Sequence, residues 1–559
     1  MTMRRPRFVL ALLALSACTR GPSAIAYGKE TCDVCRMEIT DPRYGAEVIT
    51  RTGKARKFDG LECLARYIAE APDRGAVRGV WVSDFTHPGT FLRSDSARFV
   101  RAAGTRNEMG QGWLAVPASM GRDAVVARFG AEPIAWGEVV TLAARGDLDP
   151  GHDEVAPAAP VARASGEGAE VVVSPTGAVR SLGAALRQVR SGGVIRVEPG
   201  TYREPTIVVD RPVTIEGVDH PTFDGEGARE ILRVVADDVT VRGLRFANVG
   251  TSYLEDRAAL RVTDARGCAI VGNRLDDAFF GIYLARVTRC RVEGNVIRGA
   301  ARTETSAGNG IHLWNTRDVV IAGNQVSGQR DGIYFEFVHN ADVHDNVSEG
   351  NLRYGLHFMY SDDCAYTGNA FRRNGSGVAV MYTHRVRMTG NRFEDNWGSA
   401  AYGLLLKEIS DSRLEHNVFD RNTTGLFVDG ADRLHADHNE FTGNGWALRL
   451  EANSTDAWFT RNDFIDNTFD VATNGRELHA HFGGNYWSAY TGYDLDRDGV
   501  GDVPHRPVRV FSMVVQQNPP SLMLLRSGFV DLLDAAERAL PALTPAALAD
   551  TAPAMRPVP

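Results

Sequence analysis

The sequence predicts a mainly β fold: a right-handed parallel β-helix preceded by a small α+β domain. Two observations carry the prediction. Between about residues 240 and 500, single glycines and asparagines recur with a period near 22 residues among short β-branched and apolar runs. Over residues 146–169 the composition turns abruptly Pro/Ala/Gly-rich and loses all periodicity, which marks a flexible linker. The region before it, residues 18–145, mixes short alternating runs ("YGAEVIT", "GVWVSDF", "GWLAVPAS") with helical ones ("LECLARYIAEA", "GRDAVVARFG").

A chain of 559 residues exceeds one ordinary core, so two or more domains are expected. Its 62 basic and 70 acidic residues give a net charge of −8, and no basic run follows the first residues, which argues against a nucleic-acid partner. Arg4, Arg5 and Arg7 precede an apolar run from Phe8 to Leu15 that is too short to span a bilayer. The run ends in "LSAC" at Cys18, which resembles a bacterial lipoprotein signal: residues 1–17 would be removed and Cys18 lipidated. An ordinary cleaved signal with an incidental cysteine is the alternative. Pro6 and Arg7 speak against a twin-Arg signal. The expected location is therefore the periplasm, with a lipid anchor to a membrane.

Cysteines stand at 18, 32, 35, 63, 268, 290 and 364, in two unrelated regions once Cys18 is set aside, so no dense disulfide scaffold is implied. In the first domain "TCDVCRMEIT" places Cys35 and Met37 on one side of an extended segment, with Cys32 nearby. Mixed thiolate and thioether donors suit Cu(I). Zinc would want four Cys/His ligands, and a thioredoxin-type pair would want a strand-to-helix junction in a larger α/β unit. The third donor is left open between Met109 in "NEMGQGW" and Cys63 in "FDGLECLARY", with His87 and Met120 as outsiders.

The repeat, expected over residues 170–520, aligns on Asn273, Asn295, Asn324, Asn346, Asn369, Asn391, Asn417, Asn439 and Asn462, separated by 22, 29, 22, 23, 22, 26, 22 and 23 residues. The asparagines are expected to stack at a turn, each amide bonding its neighbour one coil away. The two long separations mark loops inserted near "RTETSAGN" and "NWGSAAYG". A second marker, from Gly281 and Gly310 to Gly425, opens a strand in each coil. Alternation along that strand sends Ile282, Ile311, Ile333 and Leu356 to the core, and sends His312, His357, Met359, Met381 and Glu336 outward as an exposed strip. Such a strip offers either copper donors or a partner-binding surface.

Paired carboxylates for glycan cleavage are missing from the outward columns: Glu336, Asp429 and Glu451 stand singly. Cys268, Cys290 and Cys364 read as small core residues, the first two in neighbouring coils and able to pair. "YDLDRDGVGD" sets Asp494, Asp496, Asp498 and Asp502 in a calcium-like spacing, but His505 stands where a bidentate Glu belongs, so weak Ca²⁺ binding and a plain Asx-rich turn weigh equally. Residues 521–559 form an amphipathic helix and tail, read as a terminal cap in preference to a docking helix.

Two resemblances then become specific. The lipobox, "CDVCRMEI", "FDGLECLARYI", "VSDF" and "MGQGWLAVPAS" resemble the NosL family of lipoprotein copper chaperones. After the linker, "YGLHFMYSDD", "GVAVMYTHR" and "GGNYWSAYTGYDLDRDGVGDVP" resemble the NosD family of periplasmic β-helix proteins. The resemblance implies a fusion of two maturation factors for nitrous oxide reductase. It would bind Cu(I), deliver it toward the apo-enzyme and work with an ABC transporter of the NosF/NosY type. It assigns Cys35, Met37 and Met109 as sulfur ligands, with Cys32 in the motif. The end of the first domain, "RFGAEPIAWGE", departs from the family's pattern. No phosphate-binding Gly-x-x-x-x-Gly-Lys-Ser/Thr loop occurs, so ATP hydrolysis is expected of another subunit, and the chain itself is not expected to be an enzyme. A secreted carbohydrate-binding or carbohydrate-cleaving β-helix with an accessory metal domain is the competing reading.

Overall fold

The computed structural model describes residues 21–558 apart from 36, 52–53, 71–76, 103–111, 146–147, 149–166, 253–255, 305–306, 476–478 and 541–547. Cys18, Met109 and most of the expected linker lie outside the described residues.

The first domain is built on a four-stranded antiparallel sheet. Its strands run Ala55–Phe58, Ala46–Thr50, Val77–Ser83 and Phe91–Arg93 in spatial order. Ala97–Arg101 and Trp113–Pro117 pair as a separate hairpin. Helix Leu61–Glu70 presents Leu61, Leu64 and Ala65 to the core, and helix Trp136–Arg145 packs beside it. The domain continues to Leu148, whose carbonyl accepts a hydrogen bond of 3.1 Å from the indole of Trp113.

The second region is a parallel β-helix. Its main sheet starts with Gly168–Val173 beside Val189–Val197 and continues coil upon coil, each strand pairing in parallel with its counterpart one repeat on. Ser181 caps the opening helix Leu182–Gln188 by accepting from the Ala184 amide. The nine expected asparagines form a continuous buried ladder: Asn391, for example, donates the two N–H groups of its Nδ2 to the Tyr366 carbonyl and to Asn417 Oδ1, at 2.9 and 3.0 Å. A second ladder escaped the sequence reading. Asn351, Asn374, Asn396, Asn422, Asn444 and Asn467 bond in the same manner five residues further along each coil. Phe371, Phe393, Phe419, Phe441, Phe464 and Trp487 stack inside it, with centroids 4.1–5.7 Å apart. The glycine column has a steric cause: a Cβ at Gly377 would stand 2.2 Å from the Gly403 carbonyl oxygen of the next coil.

Cys268 and Cys290, in adjacent coils, are joined by a disulfide, while Cys364 is a buried thiol. The far end is closed by the tail. Asp550 takes the place of the next asparagine, its Oδ2 accepting from the Asn485 backbone and side chain and from the Trp487 indole. The closing residue is therefore this acid. Helix Val510–Gln517 lays Phe511 against Phe469, and helix Gly528–Ala539 adds Val530 to that cluster while leaving Leu532 exposed.

Candidate metal centre

The Cys-x-x-Cys-x-Met segment is a tight hairpin. Thr31 bridges Glu38, and the Cys32 amide donates to the Met37 carbonyl at 2.8 Å. Asp33 fastens the loop to strand Ala55–Phe58: its amide donates to the Lys57 carbonyl, its carboxylate accepts from the Lys57 amide, and it pairs with Arg56. That strand leads through Asp59 into helix Leu61–Glu70, whose first turn carries Cys63. Three sulfurs and one carboxylate thus converge. Ligand atoms of Cys32, Cys35, Asp59 and Cys63 lie within 4.8 Å of one another, and all four residues are buried.

Electrostatics single out Cys32 as the most acidic of the three sulfurs. Burial opposes ionisation of Cys32, but the Cys35 and Cys63 thiols and the Asp59 and Cys35 backbone amides all point hydrogen bonds at it and hold it well below an ordinary thiol. Cys35 is pushed the other way, by burial first, then by its bonds to the other two sulfurs and the charge of Asp59. Its Sγ also lies 2.9 Å from Asp59 Oδ2, so Cys32 and Asp59 compete for its single proton. Cys63 is also raised, chiefly by its bond to Cys32. A buried set of sulfurs with one acidic member suits a soft monovalent cation, and on binding the Asp59 carboxylate beside it would be placed to take up a displaced thiol proton. Met37 is fully buried in the same cluster.

The outward strip of the β-helix corrects one expectation. His312, Glu336, His357, Met359 and Met381 do point away from the solenoid core, yet none is exposed: His357, Met359 and Met381 have no accessible surface. The first domain packs over Met359 and Met381. Met359, Ala379, Met381, Tyr334, Tyr354, Tyr402, Leu405 and Phe427 belong to one apolar cluster with Cys32, Cys35, Met37 and Cys63. Aromatic side chains that a strand pattern sends to the sheet surface have here found a second surface to cover them. Polar contacts stitch the seam. Arg66 donates to the Tyr382 hydroxyl at 2.8 Å with its guanidinium over that ring, and Ser399 donates to the Lys29 carbonyl at 3.1 Å. Ser399 belongs to the "NWGSAAYG" insertion, and Glu304, bonded to Thr40, belongs to the "RTETSAGN" insertion. Both inserted loops therefore hold the first domain.

His357 differs from the other histidine of the strip. His312 is sandwiched between Tyr283 and Tyr334, with its Nδ1 2.9 Å from the Asn309 amide. His357 touches the rings of Tyr334 and Tyr354, but neither of its nitrogens has a hydrogen-bond partner. Burial and the neighbouring Arg353 charge push its pKa down to about 3, against the pull of Asp331, so the ring is neutral with a lone pair available. Asp331 and Arg353 form a buried bidentate pair at 2.8 and 2.6 Å beside it.

Other expectations resolve differently. His87 lies on the exposed surface against Asp84, and Met120 packs in the separate cluster of Phe129 and Val116, so neither approaches the sulfurs. Asp494, Asp496 and Asp498 do cluster. Asp494 accepts from the Arg497, Asp498 and Gly499 amides as in an Asx-type turn, Asp502 accepts from the Leu495 amide, and His505 packs on Trp487, an arrangement compatible with either the calcium or the plain-turn reading. Asp59, Tyr402 and the Arg66–Tyr382 contact were not anticipated. Asp59 sits inside the quoted "FDGLEC", but its role appears only once the hairpin folds onto it.

Comparison with known proteins agrees with this two-part layout. Residues 24–132 match the family model named NosL, and residues 298–492 match the model described as "Periplasmic copper-binding protein (NosD)". A protein of Pseudomonas aeruginosa named "Probable ABC transporter binding protein NosD" is 33% identical over 368 residues, 62% of this chain and 85% of that protein. The chain belongs to the NosD family. A NosD relative from Stutzerimonas stutzeri, with the same printed name, is 27% identical over 381 residues, 65% of this chain and 86% of its own. The NosL match covers the domain that carries the cysteine cluster, so this NosD-family chain has a NosL-type domain fused ahead of its solenoid. Among solved structures, the A-module of the Azotobacter vinelandii mannuronan C-5 epimerase AlgE6 aligns over 53% of this chain and 84% of its own at 15% identity, with a TM-score of 0.38. No helix among the described residues is long and apolar enough to cross a membrane.

Proposed function

We propose that the protein is a periplasmic Cu(I) chaperone and assembly factor that carries copper as cargo toward the copper site of nitrous oxide reductase. In this reading Cys32, Cys35, Cys63 and Met37 receive the ion in the first domain. His357, Met359 and Met381 of the solenoid take it over within the same chain. One observation carries the reading: the sulfur cluster and the methionine strip are packed into a single buried core, with a neutral, unbonded imidazole at the strip. Leaving two buried nitrogens without partners costs on the order of 1–3 kcal/mol, which a structural role does not repay. Thioether and neutral imidazole are donors that accept Cu(I) from thiolates without a charge of their own. The Cys18 lipid would tether the chain to a membrane beside an ABC transporter of the NosF/NosY type, whose ATPase supplies the energy that this chain lacks a motif to harvest.

The test is anaerobic Cu(I) titration of the full chain against a competing chelator. The expected result is one tightly held equivalent, weakened at least about tenfold by Cys35→Ser or Cys63→Ser, a loss of about 1.4 kcal/mol or more. No uptake, or uptake indifferent to both substitutions, overturns the reading.

A further inference from the structure

A cavity of about 700 Å³ opens in the seam, between Lys54 and Arg56 of the first domain and Trp446 and Arg449 of the late coils. Four consecutive residues, Ser399 to Tyr402, form part of its lining. They are an addition to the repeat: Asn374 stands three residues before the strand glycine Gly377, whereas Asn396 stands seven before Gly403. The added residues make a short loop. It is pinned where Gly398 and Thr423 exchange hydrogen bonds of 3.1 and 3.0 Å, and again where Ser399 reaches the Lys29 carbonyl.

The cavity and the sulfur cluster share a wall. Thr31, the neighbour of Cys32 in the chain, lines the cavity, and so do Tyr402 and Phe427, which belong to the apolar cluster holding Cys32, Cys35, Met37 and Cys63. The three cysteines are 0–1% exposed, so a reagent or an ion reaches them only when a side chain moves aside. Phe427 is held in place, with the Arg449 guanidinium 4.5 Å over its ring. Tyr402 is held more lightly. Its hydroxyl donates to Tyr354 at 3.4 Å, near the long limit of a hydrogen bond, and its backbone belongs to the added loop and precedes the strand that starts at Leu404. Burial raises that hydroxyl above the usual tyrosine range, and Cys35 is near enough to add to the rise. Tyr354 in turn lies 4.9 Å from the ring of His357, so Tyr402 adjoins both halves of the compartment. With Arg56 paired to Asp33 and Arg449 to Glu451, the lining carries little net charge, and space governs what passes.

We propose that this cavity is the entrance to the sulfur cluster and that Tyr402 is its gate. The ring turns into the cavity and opens the way to Cys35 while the two parts of the molecule stay docked. A side-chain turn is a far smaller event than the separation of a domain from the solenoid. What passes is copper on the reading above, but the passage itself does not depend on that reading.

The experiment measures alkylation of Cys32, Cys35 and Cys63 in the copper-free full chain, by iodoacetamide and by a maleimide carried on a polyethylene glycol chain, each rate divided by that of the urea-unfolded chain. A gate admits only the small reagent; undocking admits both. Wild type is expected to favour iodoacetamide by at least about tenfold. Ala400→Trp, which fills the cavity from a half-buried loop position, is expected to slow iodoacetamide at least about tenfold. Tyr402→Ala is expected to speed iodoacetamide by a similar factor and to leave the bulky reagent slow. Equal protection against the two reagents in wild type, an unchanged or faster iodoacetamide rate in Ala400→Trp, or a Tyr402→Ala rate that is unchanged or rises for both reagents alike overturns the gate. The wild-type comparison and Ala400→Trp decide the matter even if Tyr402→Ala does not fold. In a copper arm, Ala400→Trp is expected to slow Cu(I) uptake from a chelator at least about tenfold while the affinity stays within about threefold. An affinity that falls as far as the rate overturns a role in passage. A chain that takes up no copper still reports the passage through alkylation, so failure here and failure of the copper reading are separate results.

Discussion

The interior of the solenoid and the seam above it handle buried polar groups in opposite ways. Inside, each ladder asparagine is completely bonded: Asn391 donates its backbone and side-chain N–H groups to Asn417 and the Tyr366 carbonyl, and its Oδ1 accepts twice from Asn369. At the seam, an imidazole with no hydrogen-bond partner on either nitrogen lies against the same core as three buried cysteines, of which Cys32 is held the most acidic. Both regions are equally buried, so burial alone does not distinguish scaffold from site. Satisfaction does. A bonded polar group inside a fold defines the fold, whereas an unbonded one calls for a separate explanation, and the solenoid interior holds one too in the Tyr366 hydroxyl.

That contrast can be broken by substitution. The largest effect is expected in the scaffold: Asn391→Ala strands neighbouring amides in adjacent coils and should destabilise the chain by about 3–5 kcal/mol, read as a lower urea midpoint. If the ladder were ornamental, the midpoint would hardly move. The seam's His357→Leu is expected to do the reverse, leaving the midpoint unchanged or raised while it impairs copper handling, because it removes a buried polar group that has no bond to lose.

Smaller effects test how the two parts are held. Arg66→Ala removes both a hydrogen bond and a cation–π contact across the seam. It should cost about 1–2 kcal/mol of docking, seen as about tenfold faster alkylation of the buried thiols with no change in the solenoid's own unfolding. At the far end, burial pushes the pKa of His505 down to about 4, partly offset by Asp550. The unfolded chain therefore binds a proton there that the folded chain refuses. His505 should therefore contribute a loss of stability of up to about 1.4 kcal/mol per pH unit as pH drops from about 6.5 toward 4, and His505→Phe should remove that contribution while the one from His357 over the same range stays. The smallest effect concerns the acidic turn. Because His505, packed on Trp487, stands where a bidentate Glu would close a calcium loop, millimolar Ca²⁺ is expected to shift the melting temperature by less than about 1 °C.

Periodicity made the solenoid readable from sequence alone. Asparagines recurring every 22 or so residues, and glycines in step, are local consequences of one coil stacking on the next. Even there the second ladder was missed, because Asn351, Asn374 and Asn396 lie outside the aligned motif and only coil-to-coil register shows that they meet. The sulfur pair Cys35 and Met37 was legible from residue chemistry. Cys63 could be named only as one of two candidates, since its approach depends on the hairpin folding back through Asp33 onto the strand before the helix. The strip's burial was not legible at all. Strand alternation reports which way His357 and Met359 point, but what lies above them is set by a domain more than 200 residues earlier in the chain.

The account's central claim is that first-domain sulfurs and solenoid donors form one copper compartment. Copper K-edge X-ray absorption on the full chain loaded anaerobically with one equivalent of Cu(I) tests it most directly, with wild type compared against the triple variant His357→Ala, Met359→Ala and Met381→Ala. The account predicts that the variant loses donors from the copper's coordination shell, or binds at least about tenfold more weakly, while remaining folded. An identical spectrum and identical affinity in the folded variant would contradict it.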